Sequence, residues 1–92
     1  MNYTKGEWKV YHEEELVTVD SDNEVVAVCR KKEWQKSDET ALANAHLIAA
    51  APDMYETLRE VKLVWAGLDP NIRFPHLQEV IQQALAKAEG GK

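Results

Sequence analysis

The sequence predicts an α+β chain, an N-terminal three-stranded antiparallel β-meander followed by a C-terminal α-helical hairpin. Two patterns and a boundary carry that prediction. Residues 7–30 alternate apolar with polar side chains and are rich in valine, whereas from about 38 to 88 apolar residues return every three or four positions. The composition changes near residue 37, where one pattern gives way to the other.

In the first strand, Trp8, Val10 and His12 alternate with Lys9 and Tyr11. Leu16–Asp20 is a second run rich in β-branched residues, and Glu24–Cys29 is a third. Glu13 and Glu14 form the first connection, and Ser21-Asp22-Asn23 is a polar turn of the hairpin type. Three strands do not stay folded with both faces in water, so a helix is expected to cover one of them.

That helix is expected to begin at Ser37 or Asp38, whose side chains can cap it, with Glu39 favourably placed in the first turn. It runs to about Ala50 with Leu42, Ala45, Ile48 and Ala49 on one face. Pro52 lacks the N–H that the helical ladder needs and suits the first turn of a new helix, with Asp53 and Glu56 behind it. The sequence leaves two forms open for residues 38–66: one helix kinked at Pro52, or two helices broken there. The second stretch carries Met54, Leu58, Val61 and Trp65 at helical spacing, with Tyr55 beside them, and Gly67 closes it. Leu68–Arg73 reads as a turn-rich loop. A last helix starts at Pro75, bears Leu77, Val80, Ile81, Ala84, Leu85 and Ala88, and ends at Gly90-Gly91. Repeats and linkers are absent, and residues 1–92 are read as one domain.

A chain of this length buries only about 60–65% of its unfolded surface, so its own core is small and self-association would relieve the shortage. A homo-oligomer is expected on that ground. The net charge of −5 argues against general nucleic-acid binding, which depends on neutralising many phosphates. A single nucleotide in a local basic pocket stays compatible with it. The one cysteine, Cys29, allows no internal disulfide and no cysteine zinc site, and in an apolar strand it reads as a small buried hydrophobe. The N-terminus has no apolar signal core and no run reaches membrane-spanning length, so a cytoplasmic protein with no membrane partner is expected.

His12, His46 and His76 sit in three separate elements without zinc-helix spacing. No serine stands in a nucleophile elbow, and no glycine-rich loop could cradle a phosphate. His46 beside Glu39 or Asp53 could in principle move a proton, but a solvated or hydrogen-bonded helix histidine is the plainer reading. The sequence therefore indicates no enzyme, no catalytic residue, no metal site and no cofactor.

Binding chemistry is better represented. Arg30, Lys31, Lys32 and Lys36 surround Trp34, joining cations for phosphate with an indole on which a base can stack. The same residues could instead be a charged strand end with Trp34 folded onto the core. Arg59 and Lys62 share one side of their helix, where Glu56 and Glu60 can pair with them, and Arg73 could reach a neighbouring subunit from its loop. The run Ala43–Met54 is the most distinctive segment. Its alanines allow close approach of a second helix, and Asn44 and His46 are its polar residues before Pro52. An amide in such a place bonds a backbone group, a symmetry mate or a ligand.

Three motifs place the chain beside known proteins: Gly6-Glu7-Trp8-Lys9-Val10, then Ala43-Asn-Ala-His-Leu-Ile-Ala-Ala-Ala-Pro-Asp53, then Ala86-Lys87-Ala88-Glu89-Gly90. In this order they resemble a widespread class of small phage proteins over nearly the whole chain. Its characterised branch is the phage anti-Thoeris sponges. These sequester the cyclic ADP-ribose-type signal of bacterial TIR-domain proteins without cleaving it, and some bind cyclic oligonucleotides of the CBASS pathway. The resemblance implies an N-terminal sheet and C-terminal helices, in a dimer-built assembly, often a hexamer, with pockets where subunits meet. It implies that Asn44, which matches the motif asparagine, lines the pocket. It further implies that Trp34 stacks on adenine and that Arg59, Lys62 and Arg73 are the basic residues available for phosphate. The expectation is thus a non-enzymatic nucleotide sponge, with a phage protein-interaction module as its rival.

Overall fold

The structure, a computed structural model, describes residues 2–14, 16–22, 24–32, 37–68 and 74–90. Its elements are β1 (Lys9–Glu13), β2 (Leu16–Ser21), β3 (Glu24–Arg30), α1 (Glu39–Ala66) and α2 (Pro75–Ala88). The α+β class and the β-meander are as the sequence predicts: one sheet in the order β1-β2-β3, antiparallel at both joints. The chain falls into two compact units, Asn2–Pro52 and the residues from Asp53 onward, with α1 contributing to each.

In the first unit, the pairings Glu13↔Leu16 and Ser21↔Glu24 leave two-residue connections on either side of β2. Glu14 at φ 53° and Asp22 at φ 47° adopt the left-handed conformation that short hairpin turns demand. Along β2 the side chains alternate strictly, with Val17, Val19 and Ser21 buried. Val19 faces Ala27 but Asp20 faces Val25, so Val26 is the extra residue of a β-bulge.

Ala41 and Ala45 of α1 close over Val17 and Val19, with Trp8, Val10, Ala27, Cys29, Leu42 and Ile48 packed around them. Alanine is what this contact needs, because short side chains let helix and sheet approach closely. Cys29 is a free, half-buried thiol at the margin of that core. The N-terminal segment is pinned to the same unit. Ser21 Oγ donates to the Lys5 carbonyl at 2.7 Å, and Trp8 Nε1 donates to the Thr4 carbonyl at 2.9 Å. Gly6 between them has φ 98°, and a Cβ there would come within 2.6 Å of Ser21 Oγ. Only glycine fits that place, which gives the Gly-x-Trp pattern a physical cause.

Helix α1 begins where the caps were expected. The Asp38 carbonyl accepts the Leu42 N–H at 2.8 Å, and Ser37 Oγ lies 3.4 Å from the Glu39 N–H. The Asp38 carboxylate is engaged elsewhere: its Oδ2 is 2.7 Å from His12 Nε2, tying β1 to the start of the helix. Pro52 lies inside α1, which is one continuous helix and is not broken there. The ladder loses one donor at Pro52 and resumes beyond it.

In the second unit Tyr55, Ile81 and Leu85 are buried. The phenol of Tyr55 donates to Glu89 Oε2 at 3.0 Å, setting the end of α2 beside the start of this half of α1, so the two segments form an antiparallel hairpin. The buried stripe is not the expected one. Met54 and Val61 are exposed, Leu58 and Trp65 are half-buried, and Tyr55 is buried, because the end of α2 sits on the Tyr55 side of the helix. Likewise Leu77 and Val80 are exposed on α2 while Ile81 and Leu85 are covered. Gly90, at φ 111°, ends the helix in the left-handed conformation.

Candidate functional site

Arg59 and Lys62 come together, as their spacing on one helix requires. With Leu63 and Ala66 of α1, Leu85 of α2 and Glu89 at the C-cap of α2 they line a groove of about 350 Å³. Arg59 is held from two sides. Its guanidinium carbon lies 5.7 Å from the centre of the Tyr55 ring, and Nη1 is 3.8 Å from Glu56 Oε2, a loose i, i+3 pair. Half-exposed ion pairs of that length contribute little to stability, so Arg59 is free to exchange Glu56 for a stronger anion.

Tyr55 forms the wall behind Arg59. Burial pushes its phenol above the ordinary value, and Glu89 pushes the same way through the hydrogen bond and its negative charge, with Arg59 partly opposing. The phenol therefore stays protonated and keeps Glu89 turned toward it. The groove holds two cations, Arg59 and Lys62, with Glu89 in its lining and Glu56 beside Arg59, so its positive charge is uncovered only where Arg59 gives up Glu56. Its apolar side, Leu63, Ala66 and Leu85, could lie against a flat ring. Glu89 and the Tyr55 wall were not read as site residues from the sequence, although Tyr55 and Arg59 at i, i+4 were a signal for an aromatic–cation contact.

The other depressions are chemically different. The outer face of the sheet holds one of about 470 Å³ lined by Glu7, Lys9, Tyr11, Asp20 and Asp22, three carboxylates to one ammonium, which repels phosphate. Arg30 and Lys31 line another with Glu13, Glu14 and Leu16, so each cation there is matched by a carboxylate. Among the described residues no group of three or more His, Cys, Asp or Glu side chains could hold a metal ion.

Asn44 is exposed on α1 in the first unit, as is His46, and the groove of Arg59 and Lys62 belongs to the second. Trp34 and Arg73 lie outside the described residues, as does Lys36.

A family model described as Salmonella phage P22 protein Y8K6 matches residues 1–92, the full length of the sequence. The chain belongs to that phage protein family. No curated protein and no solved structure matches it. Within this family member, no helix among the described residues is long and apolar enough to cross a membrane.

Proposed function

We propose that this phage protein binds a small phosphate-bearing signalling nucleotide of the cyclic ADP-ribose type, or a cyclic oligonucleotide, and sequesters it without cleavage in the cytoplasm of the infected bacterium. The observation that supports this best is the groove in which Arg59 and Lys62 stand together over apolar side chains, with Arg59 only loosely paired to Glu56. In this reading the two cations hold the diphosphate, the guanidinium by paired hydrogen bonds and the ammonium as a point charge. Asn44, Trp34 and Arg73 complete pockets where subunits of a homo-oligomer, built from dimers and often hexameric, meet. A groove of about 350 Å³ is at the lower end of ligand-binding cavities, consistent with a wall supplied by a second subunit.

Sequestration needs affinity and abundance and no reacting group. A Kd of about 1 nM corresponds to roughly −12 kcal/mol, and rigid helical walls reduce the ordering cost of reaching it. The rival, an interaction module that oligomerises through its alanine-rich helix, is favoured by the exposure of Leu47, Leu63 and Val64 on α1. Calorimetry with the 1″–2′ and 1″–3′ isomers of glycocyclic ADP-ribose separates the two. Binding heat followed by recovery of intact nucleotide on denaturation is the expected result. No heat with either isomer at micromolar protein assigns the chain to the rival, and recovery of a cleaved product makes it a hydrolase.

A further inference from the structure

Helix α1 is apolar on two sides, and only one of them is used inside the chain. Written as heptads abcdefg with Leu47 at a, the residues it buries fall at b and f: Ala41, Ala45 and Tyr55. Arg59, Lys62 and Ala66, which line the groove against α2, are also b and f residues. The a and d positions are all exposed. Leu47, Met54 and Val61 follow one another at intervals of seven at a, with Ala50, Thr57 and Val64 at d. Val64 retains 64% of its surface and Met54 47%, although each is a large apolar side chain. No charged residue occupies an a or d position anywhere from Glu39 to Ala66. Pro52 falls at f, off this line, so its missing donor and its ring do not interrupt it.

From Leu47 to Val64, about two and a half heptads, every a residue and two of the three d residues are apolar, Thr57 being the exception. This is the pattern by which two helices supercoil, each side chain seating between four of the facing helix. We propose that the a/d line of α1 is a coiled-coil seam occupied by α1 of a second copy of this chain, parallel and in register. The flanking charges select that arrangement. The g positions carry Glu39, Asp53 and Glu60 beside His46, and the e positions carry Asn44, Ala51, Leu58 and Trp65. An antiparallel pair sets g against g, which brings Glu39 of each copy against Glu60 of the other, while His46 faces Asp53. A parallel pair sets g against the partner's e, so that the Glu39 carboxylate meets the Asn44 amide and no like charges face each other. A two-fold pairing is also self-complementary, a with a and d with d, and asks for no foreign partner. Asn44 then borders the dimer interface. The inference deepens the assembly half of the proposed function and rests on none of its ligand chemistry.

Disulfide trapping tests it on the full chain in a Cys29→Ser background, with folding checked by circular dichroism and no nucleotide present. In a parallel, in-register pair the Cα atoms of like a positions come within the roughly 7 Å that a disulfide spans. Met54→Cys and Val61→Cys are each expected to give near-complete covalent dimers on mild oxidation, and sedimentation of the unmodified protein is expected to show a dimer or a multiple of it. Leu63→Cys, at the more exposed but lateral position c, is expected to cross-link at least about tenfold less. A monomer at micromolar concentration, trapping at one of the two a positions alone, or equal trapping at Leu63 overturns the seam. None of those outcomes bears on whether nucleotide heat is seen, so the two proposals fail separately.

Discussion

The two units reach stability by different routes. Asn2–Pro52 is a conventional half-sandwich, with alternating β2 side chains, two buried valines and two alanines of α1 closing over them. From Asp53 onward the buried set among the described residues is Tyr55, Ile81 and Leu85, while Met54, Val61, Leu63, Val64, Leu77 and Val80 stand in water. A domain rarely leaves that much apolar surface uncovered without a use for it. The comparison teaches that the sheet unit closes a core of its own between β2 and α1, whereas the helical unit buries little. Both leave apolar side chains for contacts beyond the chain, Leu47 in the first among them.

The largest effect expected from a single substitution is in the thinner core. Leu85→Ala should cost about 3 kcal/mol and strip hydrogen-exchange protection from α2, because little else can fill the cavity. Equal loss of protection along β2 would break the comparison by showing that the units unfold as one. Val19→Ala removes two buried methyl groups and should cost about 2 kcal/mol in denaturant unfolding, with protection lost first in the sheet. Gly6→Ala forces a side chain onto Ser21 at a positive φ and should cost about 1–2 kcal/mol, so a neutral result would mean that the N-terminal segment is not held there.

The smallest effect concerns pH. The Tyr55 phenol is raised above its ordinary value in the folded state, so its contribution is complete below about pH 10, the unfolded value, and is lost as pH rises through the folded value. Thermal unfolding of Tyr55→Phe should therefore fall less steeply above pH 10 than that of the wild-type chain. Parallel curves would remove Tyr55 from the account of the groove.

Much of the sheet was legible because its chemistry is local. Strict alternation around Val17 and Val19 fixes the inward face of β2. The polar turn expected at Ser21-Asp22-Asn23 is less so, because Ser21 is the buried last residue of β2 and its hydroxyl bonds the Lys5 carbonyl, a long-range contact. Helix α1 was less legible. Pro52 leaves a break and a continuous helix both open, and the structure has the continuous form. The exposure of Met54 and Val61, which share the helical spacing of Leu58 and Trp65, has a general cause. When a helix is apolar on two faces, periodicity cannot say which one its own chain covers, and the placement of α2 over Tyr55 is long-range information. Of the candidate site residues, Arg59 and Lys62 meet because helical spacing alone brings them together. Asn44 belongs to the other unit, and Trp34 and Arg73 fall outside the described residues.

The most direct test of the central claim, that the helical unit carries the ligand-binding function, is one calorimetric series with both isomers of glycocyclic ADP-ribose. It compares the wild-type chain, the Arg59→Ala/Lys62→Ala double variant, and a Lys9→Ala/Tyr11→Ala variant of the open sheet face. The account predicts tight binding by the wild-type chain and by the sheet-face variant. For the groove variant it predicts binding about 100-fold weaker, as two charge-assisted contacts are lost. Equal affinity in all three, or no heat from the wild-type chain with either isomer, contradicts it.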